Sequence, residues 1–237
     1  MISIPWLNPD NCDFPDPINA LDEPEGLLAV GGDLSPERIL AAYYKGIFPW
    51  FNPGDPILWW SPSPRTVIFP DQLHISKSLR KTLRRGIYRV TFDNCFRNVM
   101  HACAAPRAYT DETWISDEII AGYCALHERG LAHSVEVWRG DELVGGLYGI
   151  ALGKIFFGES MFSRADNASK VGFAHLARQL TDWDFRLIDC QVANDHLVSL
   201  GAVEIPREEF QQMLINFTHD SKVNSLPWST VSFPRWD

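Results

Sequence analysis

The sequence predicts an α+β fold in two blocks: a small N-terminal α/β domain over residues 1–64, and a larger domain over 65–237 whose mixed central sheet is flanked by helices. Three observations carry this expectation. Residues 1–64 are rich in Pro, Gly and aromatic side chains and hold one clear helical pattern. From about residue 65 the punctuation becomes regular, and helical and strand-like runs of ordinary length alternate between turn residues. Inside that second block three strand-like runs follow one another with only short turns between them.

In the first block Ser35 is an N-cap and Pro36 suits the first turn of a helix, on which Ile39, Leu40 and Tyr43 face inward and which Gly46 stops. Around it lie the apolar runs Ile47-Phe48-Pro49-Trp50-Phe51 and Leu58-Trp59-Trp60-Ser61-Pro62. The second block reads as a strand at 65–69, a helix at 77–85 between Ser76 and Gly86, a strand at 87–92 and a helix at 94–104. A helix at 117–129 ends at Gly130. The meander follows, with strands at 132–138, 142–151 and 154–162 joined by Arg139-Gly140-Asp141 and Leu152-Gly153. A helix at 168–181, a strand at 186–192 and helices at 195–200 and 207–214 complete the order. The last stretch, with Pro227, Trp228, Pro234 and Trp236, is expected to strap across the surface or add an edge strand.

At 46% hydrophobic residues the chain can build a real core, and no apolar run approaches the roughly 20 residues that span a bilayer. The N-terminus lacks the basic-then-apolar pattern of a signal peptide. Cys12, Cys95, Cys103, Cys124 and Cys190 are odd in number, widely spaced and without a Cys-x-x-Cys pair, which favours reduced thiols in a cytoplasm over disulfides or zinc. The net charge of −9 argues against a polyanionic partner, yet Gln72 to Phe92 contains no Asp or Glu. On the helix expected there, Lys77, Arg80, Lys81 and Arg84 fall at i, i+3, i+4 and i+7 with Arg85 beside them, while Leu79 and Leu83 face inward. A solvated face would read the same way, but such faces normally intersperse both signs. Phosphate binding is therefore the favoured reading, through salt-sensitive contact with a nucleic acid.

Two further segments stand out because apolar strands carry polar groups: Phe156-Phe157-Gly158-Glu159-Ser160-Met161-Phe162 and Arg186-Leu187-Ile188-Asp189-Cys190-Gln191. Burying a carboxylate costs several kcal/mol, on the order of 2–7 even for a neutral polar group, unless it is paired. Glu159 and Asp189 are therefore candidates for function, the alternative being a helix cap or an ion pair with an arginine. By parity Asp189 and Gln191 share one strand face about 7 Å apart. Three other patterns fail: His127-Glu128 with His133 misses the spacing of a zinc helix, Gly158-Glu159-Ser160-Met161-Phe162 lacks the closing glycine of a nucleophile elbow, and Ser78-Leu79-Arg80-Lys81 has no partner motifs.

The order of elements is similar to a GNAT-type acyltransferase domain, a likeness of fold and not of chemistry. The junction Ser163-Arg164-Ala165-Asp166-Asn167-Ala168-Ser169-Lys170 has no glycine to let a backbone approach a CoA pyrophosphate, so acyl-CoA is not the expected donor. A specific resemblance lies in Glu25-Gly26-Leu27-Leu28-Ala29-Val30-Gly31-Gly32-Asp33-Leu34, Gly46-Ile47-Phe48-Pro49-Trp50, Leu58-Trp59-Trp60-Ser61-Pro62 and His133-Ser134-Val135-Glu136-Val137-Trp138. It continues in Leu143-Val144-Gly145-Gly146-Leu147-Tyr148-Gly149, Phe157-Gly158-Glu159-Ser160-Met161-Phe162 and Leu187-Ile188-Asp189-Cys190-Gln191. These strings, in order from about Phe14 to Phe210, resemble the bacterial leucyl/phenylalanyl-tRNA–protein transferases.

The resemblance implies transfer of leucine or phenylalanine from its tRNA to the N-terminal amine of proteins beginning with Arg or Lys, marking them for degradation, with no metal, CoA or ATP. It implies Asp189 as general base or amine-orienting carboxylate, Gln191 as a holder of the amine or ester carbonyl, and Glu159 as a holder of the amine or its cationic side chain or as a tuner of Asp189. Phe156, Met161 and Ile188, with Leu147 and Phe173, are then the aminoacyl slot, although core packing alone would explain each. Strict alternation cannot put Phe156 and Met161 on one face, so a bulge or splay near Gly158 is required. Trp50 and Trp114 are expected to stack on the terminal adenosine, and the basic stripe to grip phosphates. A monomer is the default. A CoA-dependent acetyltransferase and a non-catalytic tRNA-binding protein are the competing classes.

Overall fold

The strongest local stop signals act as the sequence suggests. In the computed structural model, which describes residues 4–106, 113–219 and 226–236, helix α1 (Pro36–Tyr44) begins where the Ser35 hydroxyl accepts the Arg38 amide. It ends at Gly46, whose φ of +70° suits glycine. A side chain at Gly46 would also collide with Phe210 and Leu214 of the last helix.

The N-terminal block forms a four-stranded sheet in the order β1-β2-β4-β3, from β1 (Trp6–Leu7), β2 (Leu27–Gly31), β3 (Phe48–Pro49) and β4 (Leu58–Trp60). These strands are short, and two of them carry only two residues, too few for an alternating pattern to show. The second sheet has seven strands in the order β11-β5-β10-β9-β8-β7-β6. Its members are β5 (Arg65–Ile68), β6 (Arg89–Phe92), β7 (Ala132–Arg139), β8 (Glu142–Leu152), β9 (Ile155–Ser163), β10 (Leu187–Gln191) and β11 (Val203–Ile205). β11, an edge strand on β5, was not expected: with three residues and two exposed positions it shows no core pattern. All pairings in this sheet are antiparallel except β9 with β10.

Helices α2 (Lys77–Arg85), α3 (Phe96–Ala104), α4 (Asp117–Glu128), α5 (Ala168–Asp182), α6 (Asp195–Ser199) and α7 (Arg207–Phe217) complete the fold. One apolar cluster joins α1, α3, α4 and α7 to one face of the large sheet and takes in Phe48 and Phe51. The other fills the opposite face beneath α5, with Leu79 and Leu83 of α2 as expected. The tail runs as a strap and not an edge strand, because Trp228 is buried against Phe92, His133 and Trp183. No helix among the described residues is long and apolar enough to cross a membrane.

Candidate active site

The site arises where β9 and β10 stop pairing. Their parallel ladder runs from Leu187 opposite Ile155 to Asp189 opposite Phe157 and goes no further. Each strand carries an extra residue at this point. On β9 Gly158 pairs with Gly149 and Ser160 with Tyr148, which leaves Glu159 without a partner across the ladder. On β10 the register against β5 shifts between Asp189 and Gln191, which makes Cys190 the extra residue. The two strands part, and a cavity of about 860 Å³ opens between them.

The bulge required near Gly158 is thus present, and it puts Phe156 and Met161 on the α5 side together. Leu147, Phe156, Met161, Phe173 and Ile188 all line the cavity. Gly149 makes this wall possible: a side chain there would meet the Phe156 ring at 2.6 Å and the Phe157 carbonyl at 2.2 Å. Trp50 and Trp114 line the same cavity. Trp50 is 49% exposed and leans on Trp60, ring centroids 5.8 Å apart, while the Trp60 indole donates to the Trp50 carbonyl. A half-exposed aromatic held by its neighbours is a platform on which another flat group can stack.

Glu159 reaches into the cavity from its bulge. Tyr43 donates to its Oε1 at 2.6 Å and Tyr123 to its Oε2 at 3.0 Å, while the Gln191 amide donates to Oε1 at 3.1 Å. Burial raises its pKa to about 7, against the two phenol bonds that lower it; Asp189 raises it further and Arg65 lowers it. The phenols are pushed well above their ordinary value by burial and by the Glu159 charge, so they remain donors. A carboxyl that exchanges its proton near neutrality is suited to acid–base work. Cys190 also lines the cavity, but burial and the Asp189 charge push its thiol up, away from a nucleophilic thiolate.

Asp189 differs from the expectation drawn from parity. It does not share a face with Gln191, because the backbone of Gln191 turns into the left-handed region at φ +64°. Nor does it line the cavity: it is fully buried, with both carboxylate oxygens on Arg65 at 2.8 and 2.7 Å. Its Oδ1 also accepts the backbone N–H of Gln191 at 3.0 Å. Among the β10 residues lining the cavity, the one that hydrogen-bonds to a carboxyl there is Gln191, and that carboxyl is Glu159. Arg65, Tyr43 and Tyr123 are site residues that sequence patterns alone miss. Arg65 carries the signal that marked Asp189, a charge opening the apolar strand Arg65-Thr66-Val67-Ile68. The tyrosines carry none, since a tyrosine on an apolar helix face reads as core.

Elsewhere, Lys77, Arg80, Lys81, Arg84 and Arg85 are all exposed and together form a shallow concave patch on α2. Ser76 caps this helix by accepting the Leu79 amide, and Gly86 ends it in the left-handed conformation.

Residues 67–215 match the family model described as leucyl/phenylalanyl-tRNA protein transferase, and residues 32–63 match the model of its N-terminal domain. This chain belongs to the leucyl/phenylalanyl-tRNA protein transferase family. It is an aminoacyltransferase. Curated relatives of the same name are similar over their whole length: one from Cellvibrio japonicus is 70% identical over 98% of this chain and 100% of its own, and one from Pseudomonas fluorescens is 62% identical over 94% and 98%. Solved structures are more remote. L-PGS from Bacillus licheniformis has a TM-score of 0.40 at 10% identity over 68% of this chain and 54% of its own. A protein of unknown function from Staphylococcus epidermidis scores 0.39 at 15% identity over 60% and 57%. Likenesses that slight bear on neither fold nor chemistry.

Proposed function

We propose that this transferase moves leucine or phenylalanine from the 3′ end of tRNA to the N-terminal amine of proteins beginning with Arg or Lys, with Glu159 as the group that takes the amine proton. The observation that carries this reading is a cavity-facing carboxyl with a pKa of about 7, held by two phenols and the Gln191 amide. An aminoacyl ester is already activated, and an N-terminal amine with a pKa of about 8 needs only to lose a proton and be aimed. The amine nitrogen bonds to the ester carbonyl, the ester C–O bond breaks, and the ribose hydroxyl leaves with a proton. Gln191 orients the amine or the ester carbonyl beside Glu159. Asp189 acts through Gln191 and is neither the base nor a contact of the amine.

Leu147, Phe156, Met161, Phe173 and Ile188 take the aminoacyl side chain. Trp50 and Trp114 stack on the terminal adenosine, which supports an ordered 3′ end over the slot. Lys77, Arg80, Lys81, Arg84 and Arg85 hold tRNA phosphates. A monomeric chain in the cytoplasm fits this reading, as does the division into residues 1–64 and a GNAT-like catalytic domain at 65–237. Support for the GNAT likeness lies in the meander β7–β9, the helix α5 after it, and the splay of β9 from β10.

The test uses purified protein, labelled Phe-tRNA and Leu-tRNA, and two model proteins differing only in an N-terminal Arg or Met. Label on the Arg protein alone, lost in Glu159→Ala, is the expected result. Binding of tRNA without transfer would reduce the chain to a binding protein.

A further inference from the structure

Arg65 is a buried charge that no step of the transfer uses, and three remote parts of the chain converge on it. It opens β5, with its side chain 1% exposed. Its guanidinium lies between two rings, 4.9 Å from the centroid of Phe48 on β3 and 4.6 Å from that of Phe210 on α7. A planar cation held between aromatic faces has little freedom to swing. In that plane it meets Asp189 through two parallel bonds, the bidentate geometry that fixes a carboxylate's orientation as well as its charge.

The orientation matters because of what Asp189 does next. Its Oδ1, aligned by Arg65 Nε, is the acceptor for the backbone N–H of Gln191 two residues on. Such a bond from an aspartate to the backbone two residues later stabilises a turn, and here it accompanies the left-handed backbone of Gln191. A glutamine does not adopt that conformation without compensation. The turn sends the Gln191 side chain across to Glu159 and off the face that parity would give it. The chain of contacts therefore runs from Phe48 and Phe210 through Arg65 and Asp189 to Gln191 and Glu159, each link within hydrogen-bond or ring-contact distance.

We infer that Arg65 is a positioning residue of the transfer reaction: by clamping Asp189 it sets the turn that holds the Gln191 amide on Glu159. The inference rests on the aminoacyl-transfer reading of the site. Lysine at this position would keep the charge but lose the fork, so Arg65→Lys changes orientation while leaving Asp189 neutralised.

The experiment is a cycle of wild type, Arg65→Lys, Gln191→Ala and the double variant, assayed for single-turnover transfer from Phe-tRNA to an Arg-initiated protein. Thermal melting and Phe-tRNA binding are followed in parallel. Arg65→Lys is expected to slow transfer about tenfold or more, to leave tRNA binding within about threefold, and to add nothing once Gln191 is alanine. A wild-type rate in Arg65→Lys, or an equal slowing in the Gln191→Ala background, would overturn the positioning role while leaving the reaction in place. If the lysine variant melts below the assay temperature, Asp189→Asn replaces it, with the same expected loss of additivity and the same refuting outcomes. Wild type that transfers nothing would instead refute the reaction, a separate result.

Discussion

Replacing Glu159 by glutamine tests the central assignment most directly, because the same ionisation should appear in two unrelated measurements. In the folded protein the carboxyl titrates near 7, against an ordinary value of 4.5, and the chief cause is burial. A folded value raised above the unfolded one means that the folded state holds its proton more tightly. The stability this contributes is full below about 4.5 and is lost as the pH rises to about 7. At 1.36 kcal/mol for each pH unit, the wild type should lose roughly 3 kcal/mol relative to Glu159→Gln across that window. Urea melts of both proteins between pH 4 and 8 measure the difference. In single-turnover transfer the wild-type rate should climb through two ionisations, one near 7 from Glu159 and one near 8 from the acceptor amine. Glu159→Gln should lose the lower step and run roughly 10²- to 10⁴-fold slower, the range of a lost general base. An unchanged acid limb in the variant, or parallel stability curves, would refute Glu159 as the proton acceptor.

Trp50→Ala should raise the KM for Phe-tRNA between about fivefold and 150-fold, since a stacked base is worth about 1–3 kcal/mol, with little change in melting because Trp50 is half-exposed. Arg80→Ala with Arg84→Ala should weaken binding to every tRNA alike and reduce the slope of log affinity against log salt by about 0.9 for each phosphate no longer held, read from binding between about 50 and 200 mM salt. Glu136→Ala should destabilise the fold in urea melts, at about 1–3 kcal/mol for a buried donor left unsatisfied, while leaving the cavity residues in place. That carboxylate is buried and accepts from Ser134, Thr91 and the amides of Asn94 and Cys95, four donors that alanine would strand.

The meander, its turns and the helices around it were legible because each buries one face, and burial leaves a period of two or 3.6 in the sequence. The capped ends of α1 and α2 were legible for a local reason: Ser35 and Ser76 accept amides three residues on, and Gly46 and Gly86 take backbone shapes that other residues resist. The bulge near Gly158 could be demanded from sequence, as Phe156 and Met161 cannot otherwise share a wall. The strands β1, β3, β4 and β11 left no such trace, since two or three residues are too few to show an alternation.

The sequence by itself determined the family, the order of the main elements, the apolar residues that line the cavity and the two carboxylates worth attention, since burying a charge in an apolar strand demands a reason. Which carboxylate meets the cavity was decided only by the tertiary structure. Parity along β10 assumes a regular ladder, but the pairing with β9 stops at Asp189 and the pairing with β5 takes in Cys190 as an extra residue, just where a guanidinium from residue 65 claims the Asp189 carboxylate and Gln191 takes a left-handed backbone. Two phenols from α1 and α4 then hold Glu159 in the gap. Those partners lie 124, 116 and 36 residues away along the chain. Hydrogen bonds over such separations follow from how helices pack on the sheet, a property no local pattern of residues records.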